Sequence, residues 1–229
     1  MKSKIDELFG LLDDWRNLPA YQLERRADIF FGLYLKDILS NHFNEEIMKN
    51  DELVVIPEFP LLKKVTQEKD KENYLSNKVD YFVWNKSKQM GYFVELKTDT
   101  KSIRGKQHAY LLDATCDDLY SIINNILRII IESKSSSIKY LNLLKNLQVA
   151  EVIEGFITPK TKTWRKELKH QTIKVPKIIA NKKIKLVYIL PKQFGNNITF
   201  NEIYFLLKER RDGLSEHFCK ALIKWENEV

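Results

Sequence analysis

Two short apolar segments, Val79 to Trp84 and Tyr92 to Lys97, carry charged residues among side chains that belong in a core. The polar stretch Lys86 to Gly91 joins them. No other feature constrains the fold as strongly. Two β-rich runs this close predict an antiparallel hairpin. With the turn centred between Ser87 and Lys88, opposed residue numbers sum to 175, and Asp80 falls directly across from Glu95. Directly opposed residues share a face, with Cβ atoms about 4.5–5.5 Å apart. Side chains alternate along a strand, so Lys97 shares that face, as do Phe82, Trp84 and Phe93. Val94 and Leu96 point the other way, into a core.

Two carboxylates at that separation repel each other. A protein tolerates the pair when a cation lies between them or one carboxylate takes a proton. Hard oxygen ligands suit Mg²⁺ or Mn²⁺. Lys97, on the same face, would orient an attacking water or stabilise charge on a phosphate. A divalent ion, a positioned water and a lysine are the parts that phosphodiester hydrolysis needs. The alternative is a solvated sheet face with an ordinary Glu–Lys pair, and the aromatic residues on that face argue against it. Two other Glu-x-Lys triplets, Glu132 with Lys134 and Glu167 with Lys169, do not end an apolar strand and have no strand-borne Asp upstream.

Around the hairpin the periodicities alternate. Helices are expected over about Ile5 to Trp15 and, opened by Pro19, over about Ala20 to Leu39, where Leu23, Ala27, Phe30, Tyr34 and Ile38 form one stripe. Leu53 to Leu62 reads as a strand near a sheet edge because Pro57 and Pro60 interrupt its donors. Lys63 to Lys78 reads as a polar connector. After the polar stretch Thr98 to Gly105, helix resumes, with Thr115 and Asp118 as a capping box before the apolar run Leu119 to Ile131. Ile138 to Leu147 is a further helix. Val149 to Thr158 and Ile184 to Leu190 read as strands, and helices over about Asn201 to Arg211 and Ser215 to Trp225 close the chain. The expected class is α/β, with a mixed central sheet flanked by helices. All 229 residues form one domain in this reading, with a core of about residues 20–190, a basic segment over 158–185 and C-terminal helices over 199–226.

Seven glycines and six prolines are too few for a collagen-like or turn-dense all-β chain. The two cysteines, Cys116 and Cys219, give neither a disulfide framework nor a zinc spacing. No glycine-rich phosphate loop, paired histidines or nucleophile-elbow motif points to another chemistry. His108, beside Gln107, reads as an ordinary surface or core histidine.

Val79-Asp80 followed by Glu95-Leu96-Lys97, in this order of elements, resembles the PD-(D/E)xK nuclease superfamily over roughly residues 20–190. No proline precedes Asp80, a departure common among such proteins. The resemblance implies a restriction-endonuclease-like core of αβββαβ order with C-terminal helices. It implies that Asp80 and Glu95 bind Mg²⁺ (or Mn²⁺), that the Leu96 carbonyl adds a ligand, and that Lys97 assists the attacking water. Many relatives place a glutamate on the first helix near the metal. Glu24 is the candidate here, its alternative being an exposed acid beside Arg25 and Arg26. Gln107 is the candidate auxiliary after the lysine. Its Gln-x-x-Tyr spacing to Tyr110 is one residue short of the exonuclease-type pattern, so endo- and exonuclease both stay open. The implied function is a divalent-metal-dependent nuclease acting foremost on DNA. The alternative is a catalytically inactive nuclease-fold module that binds nucleic acid or a protein partner.

Charge placement adds a partner. Residues 158–185 hold ten Lys or Arg against the single acid Glu167, a local +9 in a chain whose total is +7. A field of this sign favours a polyanion, the alternative being a solubilising connector. Lys160, Lys162, Arg165, Lys166 and Lys169 are the expected phosphate contacts beside the cleavage site, with Trp164 placed to stack on a base. The first fifteen residues have no signal-peptide core, and the apolar run Leu119 to Ile131 is short of the ~20 residues that span a bilayer. The expectation is a cytoplasmic protein without a membrane partner. A homodimer or a larger defence or repair complex is open to it.

Overall fold

The hairpin forms in the register the turn dictates. In the computed structural model, strands β2 (Ser76–Asn85) and β3 (Met90–Leu96) pair antiparallel from Asn85↔Met90 to Tyr81↔Val94. Every pair in that ladder sums to 175. The Asn85 side chain braces the turn: its oxygen accepts from the Lys88 backbone N–H at 3.0 Å and from the Ser87 hydroxyl at 2.9 Å. The structure describes residues 3–18, 22–43, 52–63, 76–98, 105–132 and 138–227. The expected helix opening at Pro19, the connector over 64–75 and most of the polar stretch before Gly105 lie outside them.

β1 (Leu53–Leu62) pairs antiparallel with β2, and β4 (Ile184–Leu190) pairs parallel with β5 (Ile198–Thr199). The five strands form one mixed sheet in the order β1-β2-β3-β4-β5, which puts proline-bearing β1 at an edge as expected. β3 and β4 run in the same direction. An added Cβ on Gly91, near the start of β3, would lie 2.4 Å from Ile184 Cδ1, and just past its end the Lys97 N–H donates to the Ile189 carbonyl at 3.0 Å.

The described residues cluster into two compact units. One comprises Met1–Asn50, Glu95–Gly105 and Val187–Val229; the other comprises Asp51–Val94 and Lys106–Leu186. The boundaries fall inside β3 and β4, so each of those strands belongs to both.

In the first unit, α1 (Lys4–Trp15) is opened by a Ser3–Asp6 capping box. α2 (Leu23–His42) starts two residues past Tyr21 and runs beyond Leu39 to His42, whose Nδ1 meets Glu202 Oε1 at 2.9 Å. Its stripe Leu23, Ala27, Phe30, Tyr34 and Ile38 is buried, as the 3.6-residue period requires. α8 (Phe200–Leu207) and α9 (Gly213–Asn227) pack on each other, and α1 packs on α9. α8 stops at Leu207, short of the expected Arg211. Between α1 and α9 the His217 ring faces two acceptors, the Gly213 carbonyl at 2.6 Å from Nδ1 and Asp6 Oδ1 at 2.5 Å from Nε2. The hydrogen bond to Asp6, then that to Gly213, holds the imidazole pKa above its usual value.

In the second unit, α3 (Gly105–Cys116) precedes α4 (Leu119–Glu132), which lays its apolar face on β1. The expected Thr115–Asp118 capping box is not formed. Thr115 sits inside α3, donating its hydroxyl to the Leu112 carbonyl, and Asp118 alone caps α4 by accepting the Ser121 N–H at 2.8 Å. α5 (Tyr140–Val149) begins two residues later than expected.

The strand expected over Val149 to Thr158 does not form. Val152, Ile153 and Phe156 are buried, yet the backbone makes only an isolated bridge, Glu154↔Lys174. Gly155, at φ +82°, breaks the extended run, and side chains replace a partner strand. The Gln148 side chain accepts from the Phe156 N–H and the Gln171 side chain from the Ile157 N–H, both at 2.9 Å. The basic stretch that follows contains α6 (Trp164–Lys169) and α7 (Lys177–Ala180), anchored by buried Leu168 and Ile179. Among the described residues no helix is long and apolar enough to cross a membrane.

Candidate metal and catalytic site

The end of β3 carries the charge. Glu95 and Lys97 are 1% and 4% exposed. A lysine is almost never buried to that degree without a partner, and this one has two. Its ammonium donates to Glu95 Oε1 at 2.7 Å and to Glu24 Oε1, on the first turn of α2, at 2.8 Å. Burial by itself pushes the Lys97 pKa down. The Glu95 charge and the hydrogen bond that the ammonium donates to Glu24 more than offset it, and the Lys97 pKa stands well above the ordinary lysine range. α2 supplies Glu24 because Leu23 and Ala27 on either side of it are buried, which fixes the first turn against the core.

Asp80 follows from the ladder. Asp80 precedes Tyr81, and Glu95 follows Val94, the outermost pair of that ladder. One carboxylate oxygen from each of Glu24, Asp80 and Glu95 lies within 4.8 Å of the others. With all three ionised, Lys97 balances one charge and leaves two, the charge of one divalent ion. Two oxygens on opposite sides of a Mg²⁺ ion stand about 4.2 Å apart, so this donor set could hold such an ion with little movement.

On the other side of β2 the ladder to β1 is continuous except at Glu58, which takes a left-handed φ of +52°. In regular pairing Glu58 would oppose Asp80 and add a fourth carboxylate to that part of the sheet. Its carboxylate instead meets the Lys78 ammonium at 2.6 Å.

The structure thus brings Asp80, Glu95, Lys97 and Glu24 together. Glu24 is legible in the sequence only as one of two readings, because a single acid beside a helix stripe has no spacing signature. The Leu96 side chain is buried, and its carbonyl stands between Glu95 and Lys97 in the chain. Gln107 is on the first turn of α3, and Tyr110, one turn on, donates its hydroxyl to the Lys78 carbonyl at 2.9 Å.

The basic segment is a folded surface. Lys160, Lys162, Lys166 and Lys169 are exposed, while Trp164 and Arg165 are half-buried. The Arg165 guanidinium stands 4.9 Å from the Trp164 ring centroid, so one aromatic face is already covered from within the chain. Glu167, the one acid of the run, accepts from the Lys160 and Thr161 backbone N–H groups at 3.2 Å. The Thr161 hydroxyl also bonds it and is the main reason its pKa lies below the usual range.

No protein-family model, curated protein or solved structure matches this chain.

Proposed function

We propose that this protein is a divalent-metal-dependent nuclease of the PD-(D/E)xK type that hydrolyses phosphodiester bonds, foremost in DNA. One observation carries the reading: three carboxylates gathered within 4.8 Å, one of them buried with a lysine at the end of a central strand. An acidic cluster used only for stability has no reason to concentrate charge of one sign where burial makes repulsion expensive.

Asp80, Glu95 and Glu24 are the residues that would hold Mg²⁺ or Mn²⁺. Bound there, a divalent ion supplies Lewis-acid polarisation of the phosphoryl oxygen. Lys97 supplies a donor that stays protonated, aimed at the attacking water or at charge developing on the phosphate. Its hold on Glu24 and Glu95 fixes the ammonium before substrate arrives, so little reorganisation is needed during reaction. Exposed Lys160, Lys162, Lys166 and Lys169, with Arg165, supply phosphate contacts that favour any strand regardless of sequence.

The test is cleavage of plasmid and single-stranded DNA with Mg²⁺, Mn²⁺ or EDTA, by the wild type and by the near-isosteric variants Asp80→Asn and Glu95→Gln. Wild-type cleavage should need the metal, and each variant should lose about 10²-fold or more. Cleavage at wild-type rate by both variants would end the assignment. A wild type that binds DNA without cutting it in any metal would make the protein an inactive nuclease-fold module.

A further inference from the structure

Four aromatic side chains among the described residues are exposed: Trp15, Tyr120, Phe194 and Phe205. Three sit on helices, and Phe205 already has the Lys208 ammonium 4.6 Å from its ring centroid. Phe194 is different in exposure, support and place. It is 64% exposed, the most of the four, and stands in the loop between β4 and β5.

That loop is pinned from beneath. Asn197, 3% exposed, accepts from the Phe194 backbone N–H at 2.6 Å and donates to the Ile198 and Lys192 carbonyls at 3.1 and 3.3 Å. The Gln193 side chain donates to the carbonyl of Gly195, which takes the left-handed φ of +63° that closes the loop. A buried amide thus fixes the backbone under a phenyl ring that faces water. Such an arrangement contributes nothing to the core, and it presents a flat apolar surface with little conformational entropy left to lose.

The loop also starts at the candidate site. Lys97 donates its N–H to Ile189, and β3 and β4 run in the same direction, so the loop leaves the end of the sheet that carries Glu95 and Lys97. Phe194 is five residues past Ile189, at most about 18 Å of extended chain. That reach matches about five stacked nucleotides at 3.4 Å each. Exposed Lys192 adds a positive charge beside the ring.

Resting on the nuclease reading, we infer that Phe194 is a stacking platform for an unpaired nucleobase close to the scissile phosphate, and that the preferred substrate is single-stranded or locally unpaired nucleic acid. A base inside a duplex has both faces covered by its neighbours and offers none to Phe194. An unpaired base offers one, and aromatic stacking accepts any of the four bases.

The test measures binding of fluorescein-labelled single-stranded and duplex oligonucleotides in EDTA by the wild type, Phe194→Ala, Phe194→Leu and Phe194→Trp. The side chain is exposed, so none of these changes disturbs the core. Phe194→Ala and Phe194→Leu should weaken single-strand binding about 5- to 150-fold, Phe194→Trp should retain it, and duplex affinity should stay within about twofold. Unchanged single-strand affinity in Phe194→Ala overturns the inference. So does full affinity in Phe194→Leu, which would mean an apolar contact such as a protein partner makes, and so does a wild type that binds no single strand. Metal-dependent cleavage by the wild type against Asp80→Asn is scored separately. Cleavage with an indifferent Phe194→Ala leaves the nuclease and removes the platform; a Phe194 effect without cleavage does the reverse.

Discussion

Replacing Lys97 by Met tests whether the ammonium occupies the place of a metal charge in the ion-free protein. Met keeps the length and most of the apolar stem and removes the cation. Glu95 is then left at 1% exposure without the 2.7 Å partner it has now, and Glu24 and Asp80 stand within 4.8 Å of it. Breaking a buried ion pair by deleting one partner costs about 3–5 kcal/mol. In a chain of this size 1 kcal/mol moves Tm by about 2–4 °C, so the variant should melt about 6–20 °C lower in EDTA. Ion binding then has more to relieve. At a hundred times its Kd a ligand adds about 2.7 kcal/mol, or about 5–11 °C. In the wild type part of that gain is offset, because the ion competes with Lys97 for the same carboxylates. Differential scanning calorimetry in EDTA and in Mg²⁺ should therefore show a larger Mg²⁺ shift for Lys97→Met than for the wild type. An EDTA loss below about 1 kcal/mol, or a Mg²⁺ shift no larger than the wild type's, would refute the argument.

The His217–Asp6 hydrogen bond predicts a pH dependence. His217 has a raised folded pKa, so its contribution is complete below the unfolded value of about 6.5 and is lost as pH rises through the folded value. Asp6 has a lowered pKa, chiefly from the same hydrogen bond, so its contribution holds above about 3.9 and fades in acid. His217→Gln should flatten the fall of Tm above neutral pH, and a slope identical to the wild type's would show that the pair is not coupled to folding. Gly91→Ala should destabilise by about 1–3 kcal/mol, read by chemical denaturation, because the new methyl meets Ile184 Cδ1 at 2.4 Å and Phe82 and Trp84 at 3.2 Å; a neutral result would mean that β3 and β4 can separate at little cost. Changing Lys160, Lys162, Arg165, Lys166 and Lys169 to Gln should lower DNA affinity. It should also flatten the salt dependence by about 0.7–0.9 in log–log slope for each phosphate no longer neutralised. An unchanged salt slope would make the segment a solubilising surface only.

The site is legible in the sequence where local geometry decides it. Once the turn is centred, a strand pair has one register, and alternation assigns every face, so the expectation for Asp80, Glu95 and Lys97 follows from numbering. Glu24 depends on how α2 docks, which a stripe of apolar residues does not specify. The segment from Val149 to Thr158 shows the converse failure. Its apolar residues are buried as a strand's would be, but Gln148 and Gln171 satisfy the Phe156 and Ile157 N–H groups and no partner strand is required. Burial pattern and ladder pairing are separate facts, and sequence periodicity reports only the first. β5 escapes a sequence reading because two residues, Ile198 and Thr199, are too few to show any period. Thr115 reads as a cap because its spacing to Asp118 fits, whereas α3 continues through it and leaves Asp118 to do the capping.

Strand β1 also bears on how the protein avoids association with itself. Its ten residues are rich in Val, Leu, Ile and Phe and stand at the end of the sheet order. Without interruption such a run is the composition from which intermolecular zippers form. Pro57 and Pro60 remove two amide donors, and between them the left-handed twist at Glu58 breaks the flat geometry that an incoming strand needs. The chain thus carries gatekeepers inside an apolar edge strand. Growth of the sheet from copy to copy is disfavoured at this edge.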